Sequence, residues 1–255
     1  MKPRISPSEV GFGPERLERL ERMVHRRHFW LQGRSALVLS LLGRAQARST
    51  RVALDLGGGN GNAAAELERR GYRVTTVDLL ADGLARARRL DPEASLLQAD
   101  ARALPLADGA ADLLLALDLL EHVPETPLLT ELARVVRPGG RVLLTVPAFP
   151  WLWSHRDEAA GHLRRYSRKS LRQALSRAGF EVETLRFYQW ALFPAVAASR
   201  LLARRRPRVT EMEEAPAPWL NRLLTAVNLL EVRLGAWIPW PWGSSLAVLC
   251  RRGAP

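Results

Sequence analysis

A short apolar strand, Val52-Ala53-Leu54, runs directly into Asp55-Leu56-Gly57-Gly58-Gly59-Asn60-Gly61 and then into a helix-forming stretch, Ala63 to Arg70, closed by Gly71. Arg73 to Val77 returns as a second buried strand that ends in Asp78. This is a βαβ unit with glycines at its turn, and it commits the chain to a parallel sheet wound with helices. Without Cβ atoms the glycines let the backbone bend sharply and let a ligand lie against main-chain groups at the helix N-terminus, beyond the carboxyl ends of the strands. A nucleoside cofactor is expected there.

The acids around the turn decide which cofactor. Gly59-Asn60-Gly61-Asn62-Ala63-Ala64 passes as a loose G-x-G-x-x-A dinucleotide fingerprint, with Asp78 placed for a ribose. Asp55 opposes that reading, because a carboxylate beside the loop repels a pyrophosphate and suits an ammonium or sulfonium charge. Asp78 follows Asp55 by 23 residues and Asp100 follows Asp78 by 22, the step expected of consecutive βα units. Three acids then line one edge of the sheet, each accepting hydrogen bonds only. Asp112 to Leu117 is the fourth strand and leads into Asp118-Leu119-Leu120-Glu121-His122-Val123; Arg137-Pro138-Gly139-Gly140 is a turn before the fifth strand, Arg141 to Val146.

From Val52 to about Phe187 the chain resembles the class I S-adenosylmethionine-dependent methyltransferases, whose first motif is a strand, an acid and G-x-G-x-G, matched by Asp55, Gly57, Gly59 and Gly61. Many members carry Cys where this chain has Gly58, which is expected to loosen the loop slightly. The resemblance implies a Rossmann-like, doubly wound, mixed seven-stranded sheet of order 3-2-1-4-5-7-6. It further implies that Asp78, with Leu79 beside it, holds the ribose hydroxyls, that Asp100 takes the adenine amino group with the Ala101 amide facing the ring, and that Ala116 and Asp118 face the methionine end. His122 has two readings, a packed residue where strand four meets its helix or a contact with cofactor or acceptor. Glu121 is read as structural or solvated.

Residues 1–50 form an N-terminal helical cap in this reading. Pro14 to Arg27 has helical spacing, with Leu17, Leu20, Met23 and Val24 on one side, and His28-Phe29-Trp30-Leu31-Gln32-Gly33-Arg34 interrupts it. Similar aromatic stretches ending in Gly-Arg precede the first strand in a bacterial subgroup of the family. They imply that Trp30 and Arg34 close over the cofactor, with Arg34 on the methionine carboxylate; a helix-to-helix turn with packed aromatics is the other reading.

After strand five, residues 147–168 read as a substrate lid: Pro147-Ala148-Phe149-Pro150-Trp151-Leu152-Trp153-Ser154-His155-Arg156-Asp157, then Gly161-His162-Leu163-Arg164-Arg165-Tyr166-Ser167. A hydroxyl acceptor needs a base, and His155 or His162, oriented by Asp157, are the catalytic candidates; a hydrogen-bonded lid hinge is the alternative. Trp153, Arg164, Arg165 and Tyr166 are expected to grip the acceptor, the arginines and the tyrosine suiting a phosphate or carboxylate. Members of the same subgroup are associated with cell-envelope glycan or lipid-linked substrates. Ser167 reads as the N-cap of a helix from Lys169 to Ala178 ended by Gly179, and Phe180 to Phe187 as strand six.

Residues 188–243 are a helical insertion before the last strand, Ser244 to Arg251. Trp190 to Leu202 is apolar and helical in pattern, Arg204-Arg205-Arg206-Pro207-Arg208 follows, and a second helix, Trp219 to Leu234, carries Leu220, Leu223, Leu224, Val227, Leu230 and Leu234 ahead of Trp237, Trp240 and Trp242. Such a stripe is core, a homodimer contact, or an interfacial face that docks on a bilayer. The net charge of +12 is carried almost wholly by arginine, with Lys2 and Lys169 the only lysines, and no nucleic-acid module is recognisable. One cysteine, Cys250, excludes an internal disulfide framework and suggests no metal cluster. The compartment expected is the reducing cytoplasm, with a peripheral place at the inner membrane surface open. The leading function is methyl transfer from S-adenosylmethionine, leaving S-adenosylhomocysteine, to a small or lipid-linked acceptor at oxygen. RNA methylation is the alternative within enzymes, and a non-catalytic membrane or partner adaptor the alternative outside them.

Overall fold

The computed structural model describes residues 18, 21–24, 27–43, 51–59, 61–203 and 216–253. Most of the expected Pro14 to Arg27 helix, Asn60 and the basic run from Arg204 to Arg208 lie outside the described residues. Strands β1 (Arg51–Leu56), β2 (Tyr72–Asp78), β3 (Ser95–Gln98), β4 (Ala111–Leu117), β5 (Val136–Pro147), β6 (Phe180–Tyr188) and β7 (Ser245–Arg252) form one sheet in the order 3-2-1-4-5-7-6. β1 to β5 run parallel, and β7 inserts antiparallel between β5 and β6, the mixed sheet expected. The described helices are α1 (Phe29–Leu42), α2 (Asn62–Glu68), α3 (Ala81–Leu90), α4 (Glu125–Val135), α5 (His155–Ala159), α6 (Arg168–Arg177), α7 (Phe193–Ala203) and α8 (Pro218–Leu234).

The central strands are leucine runs because both of their faces are covered. Alternation then sorts them: Leu114 and Ala116 of β4 pack with Leu128 and Leu132 of α4 and Leu171 and Leu175 of α6, whereas Leu113, Leu115 and Leu117 pack with Ala63, Ala64 and Leu67 of α2 and Val38 and Leu42 of α1. Each such buried leucine contributes about 1.5–3 kcal/mol by leaving water. That double layer holds the carboxyl ends of β1, β2 and β4, where the acids sit, in fixed relation.

Three local expectations are corrected. Residues His28 to Arg34 do not interrupt a helix; the break falls at Arg27, with φ at +48°, and α1 runs from Phe29 straight through Gly33. His28 caps it, its Nδ1 accepting the Trp30 N–H at 3.2 Å. Gly33 is tolerated inside a helix because a Cβ there would lie 2.9 Å from Asn228 Nδ2 of α8 and against the Tyr188 hydroxyl. Arg137 to Gly140 is not a turn ahead of β5 but part of it, with Gly139 at φ +73° and a register shift opposite, between Ala111 and Leu113. α7 begins at Phe193 rather than Trp190, because the amides of Trp190 and Ala191 donate to the Glu231 carboxylate at 3.0 and 3.3 Å instead of opening a helix.

Residues 147–168, expected as a substrate lid, have a folded backbone of their own. They form no open loop: the Tyr166 N–H donates to Pro147 O at 2.9 Å and the Phe149 N–H to Tyr166 O at 2.8 Å, zipping the two ends together, while a 3₁₀ turn (Pro150–Leu152) and α5 lie between. Phe149 stacks on Phe187 of β6 with ring centroids 5.1 Å apart. The N-terminal helix and the insertion also meet: Asn221 of α8 accepts the Phe29 N–H at 2.9 Å, and Asn228 donates to Phe29 O at 3.3 Å.

Candidate active site

β1 ends in Asp55, and the chain then turns through Gly57, Gly59 and Gly61, all at positive φ (66°, 52° and 73°), where a side chain would be strained. Asp55 is buried, and its Oδ2 has no hydrogen-bond partner. Burial pushes its carboxyl up to about 7, against the pull of Arg34 and with the push of Asp78. A buried acceptor without a donor is costly to leave so, and a cationic or hydrogen-bonding ligand in the turn relieves it.

Asp78 closes β2 and shapes the same turn: one carboxylate oxygen accepts the Gly59 N–H at 2.9 Å and the other the Leu80 N–H at 2.9 Å. Burial raises its pKa, opposed by those backbone donors. Leu79 follows, its carbonyl accepting from Gln98 Nε2 at 3.1 Å. Asp100 lies beyond β3 and holds Arg102 through both oxygens, at 2.9 Å to Nε and 2.7 Å to Nη2, with Ala101 half-buried beside the core.

At the end of β4, Asp118 adopts φ +53°, unusual for a residue with a side chain and typical of functional turns. Its Oδ1 accepts the Thr145 hydroxyl at 3.0 Å, and its Oδ2 accepts Arg34 Nη1 at 3.1 Å. Arg34 in turn lies over the Trp30 ring, 4.4 Å from its centroid. The FWLQGR stretch of α1 thus reaches the sheet edge. Ala116, expected at the methionine end as well, is fully buried in the core of β4 and offers no side chain to a ligand.

On the lid side, Asp157 is completely buried and gathers one imidazole and two guanidinium groups: His162 Nδ1 at 2.9 Å, Arg165 at 2.8 Å and Arg200 of α7 at 2.7 Å. Burial alone would raise its carboxyl, but His162, Arg165 and Arg200 together hold it well below the usual carboxylate range. His155 does not share this hub. It is exposed on the outer surface of α5 and bonds Glu158 at 3.1 Å, which also accepts from Nε1 of half-buried Trp153, ahead of the helix, at 3.3 Å. Of the two histidines expected to be oriented by Asp157, only His162 is.

The expected acceptor grip is also engaged elsewhere. Arg165 is buried against Asp157 and donates to Ala148 O at 2.8 Å; Tyr166 is buried and donates to Glu125 at 2.9 Å; Arg164 donates to the carbonyls of Leu120 and Val123 at 3.3 and 2.8 Å. Arg164 and the Leu163 N–H, which donates to Glu121 O at 2.7 Å, fasten the segment after β4 to the end of the lid. That tether puts the His122 and His162 rings edge to face, with centroids 4.7 Å apart. Glu121 completes the group: it is buried rather than solvated, and burial, with Asp118 nearby, raises its carboxyl well above the usual range.

The methyltransferase-domain family matches residues 54–144 of the chain. A malonyl-[acyl-carrier protein] O-methyltransferase from Enterobacter lignolyticus is 33% identical over 228 residues, which cover 85% of this chain and 84% of that protein. The chain belongs to the S-adenosylmethionine-dependent methyltransferases. A demethylmenaquinone methyltransferase from Beutenbergia cavernae is 34% identical over 99 residues, covering 38% of this methyltransferase and 41% of that one. Among solved structures, the geranyl diphosphate C-methyltransferase from Streptomyces coelicolor, with S-adenosylhomocysteine bound, shares the fold at a TM-score of 0.58 and 17% identity, over 85% of this chain and 78% of that one.

The cofactor of this methyltransferase is S-adenosylmethionine, and the turn suits it. The orphaned Asp55 oxygen and the acceptor-only row of Asp55, Asp78, Asp100 and Asp118 complement hydroxyls, an amine and a sulfonium, and they oppose a pyrophosphate. Gly58 does more than loosen the loop. A Cβ there would stand 2.6 Å from Asp55 Oδ2 and 2.7 Å from Thr76 Cγ2, so glycine is what this turn can hold. Gly58→Cys is therefore expected to weaken cofactor affinity at least ~10-fold and to destabilise the fold by about 1–3 kcal/mol. Calorimetric titration with a parallel thermal melt reads both.

Two residues lie by these groups that sequence reasoning did not single out for the site. Arg156, named in the sequence only as part of the lid segment, has Nε and Nη1 buried without a partner, beside the Asp157 hub. Glu121 was read as structural or solvated, and no local pattern signals that it faces a histidine from the lid.

Proposed function

We propose that this methyltransferase transfers its methyl group to an oxygen of a small or lipid-linked acceptor that carries an anionic group. The observation that carries the reading is the polar wall of Glu121, His122 and His162 next to Asp118, with His162 held by buried Asp157. S-adenosylmethionine supplies a methyl already activated on sulfonium, so a nitrogen acceptor needs little from side chains, whereas a hydroxyl must also lose a proton. A wall of two imidazoles and a carboxyl has no evident use for the first and a direct one for the second. The Asp118, Thr145 and Arg34 chain orients the methionine end, and the aromatic packing of Phe149, Phe187 and Phe193 keeps water from the lid side. That the E. lignolyticus relative is named an O-methyltransferase supports the same acceptor atom.

His162→Asn is expected to lower kcat by about 10²–10⁴-fold while leaving S-adenosylmethionine affinity within a few-fold. Transfer of labelled methyl to hydroxyl-bearing acceptors, soluble and lipid-linked, measures it; undiminished turnover would remove His162 from the chemistry.

The anionic group is supported by Arg156, whose free Nε and Nη1 suit a phosphate or carboxylate. Arg156→Gln is expected to raise KM for an anionic acceptor about tenfold with kcat little changed. A lipid-linked acceptor is supported by the outer face of the insertion, where Trp219, Leu223, Leu230, Trp237 and Trp242 are exposed. No described helix is long and apolar enough to cross a membrane, so this face would lie on a bilayer rather than in it. Co-sedimentation with anionic vesicles tests the contact, and a concentration-dependent dimer in the absence of vesicles would assign the face to a second copy instead.

A further inference from the structure

We propose that Glu121, His122 and His162 are the ligands of a divalent transition-metal ion. Their side-chain ligand atoms all lie within 4.8 Å of one another, and two of the three residues come from the segment after β4 while the third comes from the lid. Two imidazoles and one carboxylate are a donor set that suits zinc and its neighbours, and three protein ligands leave a position open for water or substrate. A metal with ligands at ~2.1 Å needs donor atoms closer than the present spread, so the side chains must close by roughly an ångström on loading.

Two further features point to a ligand rather than to packing. Glu121 is buried, with 1% of its surface exposed, and its Oε2 has no hydrogen-bond partner. A carboxyl oxygen in that state lacks a cation or donor, which a metal supplies. His162 already carries the outer partner that metal-bound histidines use: its Nδ1 faces Asp157 at 2.9 Å, and Asp157 is itself locked by Arg165 and Arg200. That bond fixes the ring so that Nε2 is the atom left to bind. The Arg164 and Leu163 hydrogen bonds to the loop of Glu121 hold the two halves of the set together.

The catalytic consequence rests on the oxygen-acceptor reading; the cation site itself does not. With the ion in place, the acceptor hydroxyl takes the open position and loses its proton to water. Its oxygen lone pair then forms the bond to the methyl carbon, as the pair of the C–S bond returns to sulfur and leaves a neutral thioether. His162 then serves as a ligand, and the metal does the work of lowering the hydroxyl's pKa.

The test is equilibrium dialysis of the full chain, stripped with chelator, against Zn²⁺ alone, with bound metal read by elemental analysis and Co²⁺ substitution read by visible absorption. The wild-type chain is expected to take up one ion with micromolar or tighter affinity, and Glu121→Gln and His162→Asn to bind at least ~10-fold more weakly. Unchanged S-adenosylmethionine affinity in both variants establishes that they are folded. His155→Asn, at an exposed histidine away from the set, is expected to bind as the wild type does. Failure of the wild type to bind stoichiometrically, or equal binding by Glu121→Gln, overturns the site. A metal that binds as stated while methyl lands only on nitrogen or carbon leaves the site standing and removes the oxygen reading.

Discussion

Asp78→Ala is expected to abolish measurable S-adenosylmethionine binding. The carboxylate has two tasks in this reading, to accept from the ribose hydroxyls and to hold the glycine turn through the Gly59 and Leu80 amides. Hydrogen bonds to a charged group contribute about 1.5–3 kcal/mol each, so losing two to the ribose amounts to some 3–6 kcal/mol, or about 10²–10⁴ in affinity. Release of the Gly59 amide loosens the same turn and adds to the loss. Asp78→Asn separates the two tasks, because the amide keeps one acceptor oxygen and offers a donor where the second was. It is expected to fall between wild type and alanine. Calorimetry reads the affinities, and a thermal melt of each apo protein reads the fold. Affinity in the alanine variant within threefold of wild type would falsify the assignment of the ribose to Asp78.

Asp157→Ala is expected to cost about 3–5 kcal/mol of stability. The carboxylate is fully buried and is the common partner of Arg165, Arg200 and His162, so its removal leaves buried guanidinium groups without a counter-charge. Burial lowers the Arg200 pKa to about 10, with Arg165 adding to the effect, which marks how confined that charge is even with Asp157 present. At a few degrees per kcal/mol for a chain of this size, the melting temperature should fall by about 10 °C. The pH dependence has a definite sign. The folded-state pKa of Asp157 lies below its unfolded value, so its contribution is complete above the ordinary carboxylate range near pH 4 and is lost as the pH falls toward the depressed value. The alanine variant should therefore lose less stability than wild type between pH 5 and pH 3 in urea titrations. Equal slopes in the two proteins would mean that Asp157 is not the charge that organises the lid.

These two residues differ in how plainly the sequence announced them. Asp78 follows a strand that follows a glycine turn, and every step of that inference is local: apolar run, missing Cβ atoms, spacing to the next acid. Asp100 came from the same βα period, whereas the strand order was what the family resemblance implied. Ser167 at the start of α6 and Gly179 at its end were equally legible, since an N-cap hydroxyl and a glycine at φ +80° answer to the chain's own backbone. Asp157 was visible only as a polar residue near two histidines. Which histidine it would hold depended on how α5 winds, and the capping box that joins Ser154 to Asp157 turns His155 outward to Glu158 while His162 returns over the buried face.

The amino-acid sequence by itself determined the βαβ turn and the spacing of the acids that close its strands, which follow from short-range sterics and from the hydrophobic periods of strand and helix; the order of the sheet was implied by the family resemblance. Tertiary structure alone decided the rest. Packing of α1 on α8 made Gly33 a contact, and carried Arg34 to Asp118 from 84 residues away. Burial of Glu231 and its capture of the Trp190 amide delayed the start of α7. The tether between the loop after β4 and the lid brought Glu121 and His122 to His162. The physical reason is the same in each case: a polar group taken out of water must find its partner in whatever the fold brings near, and that partner has no fixed distance along the chain.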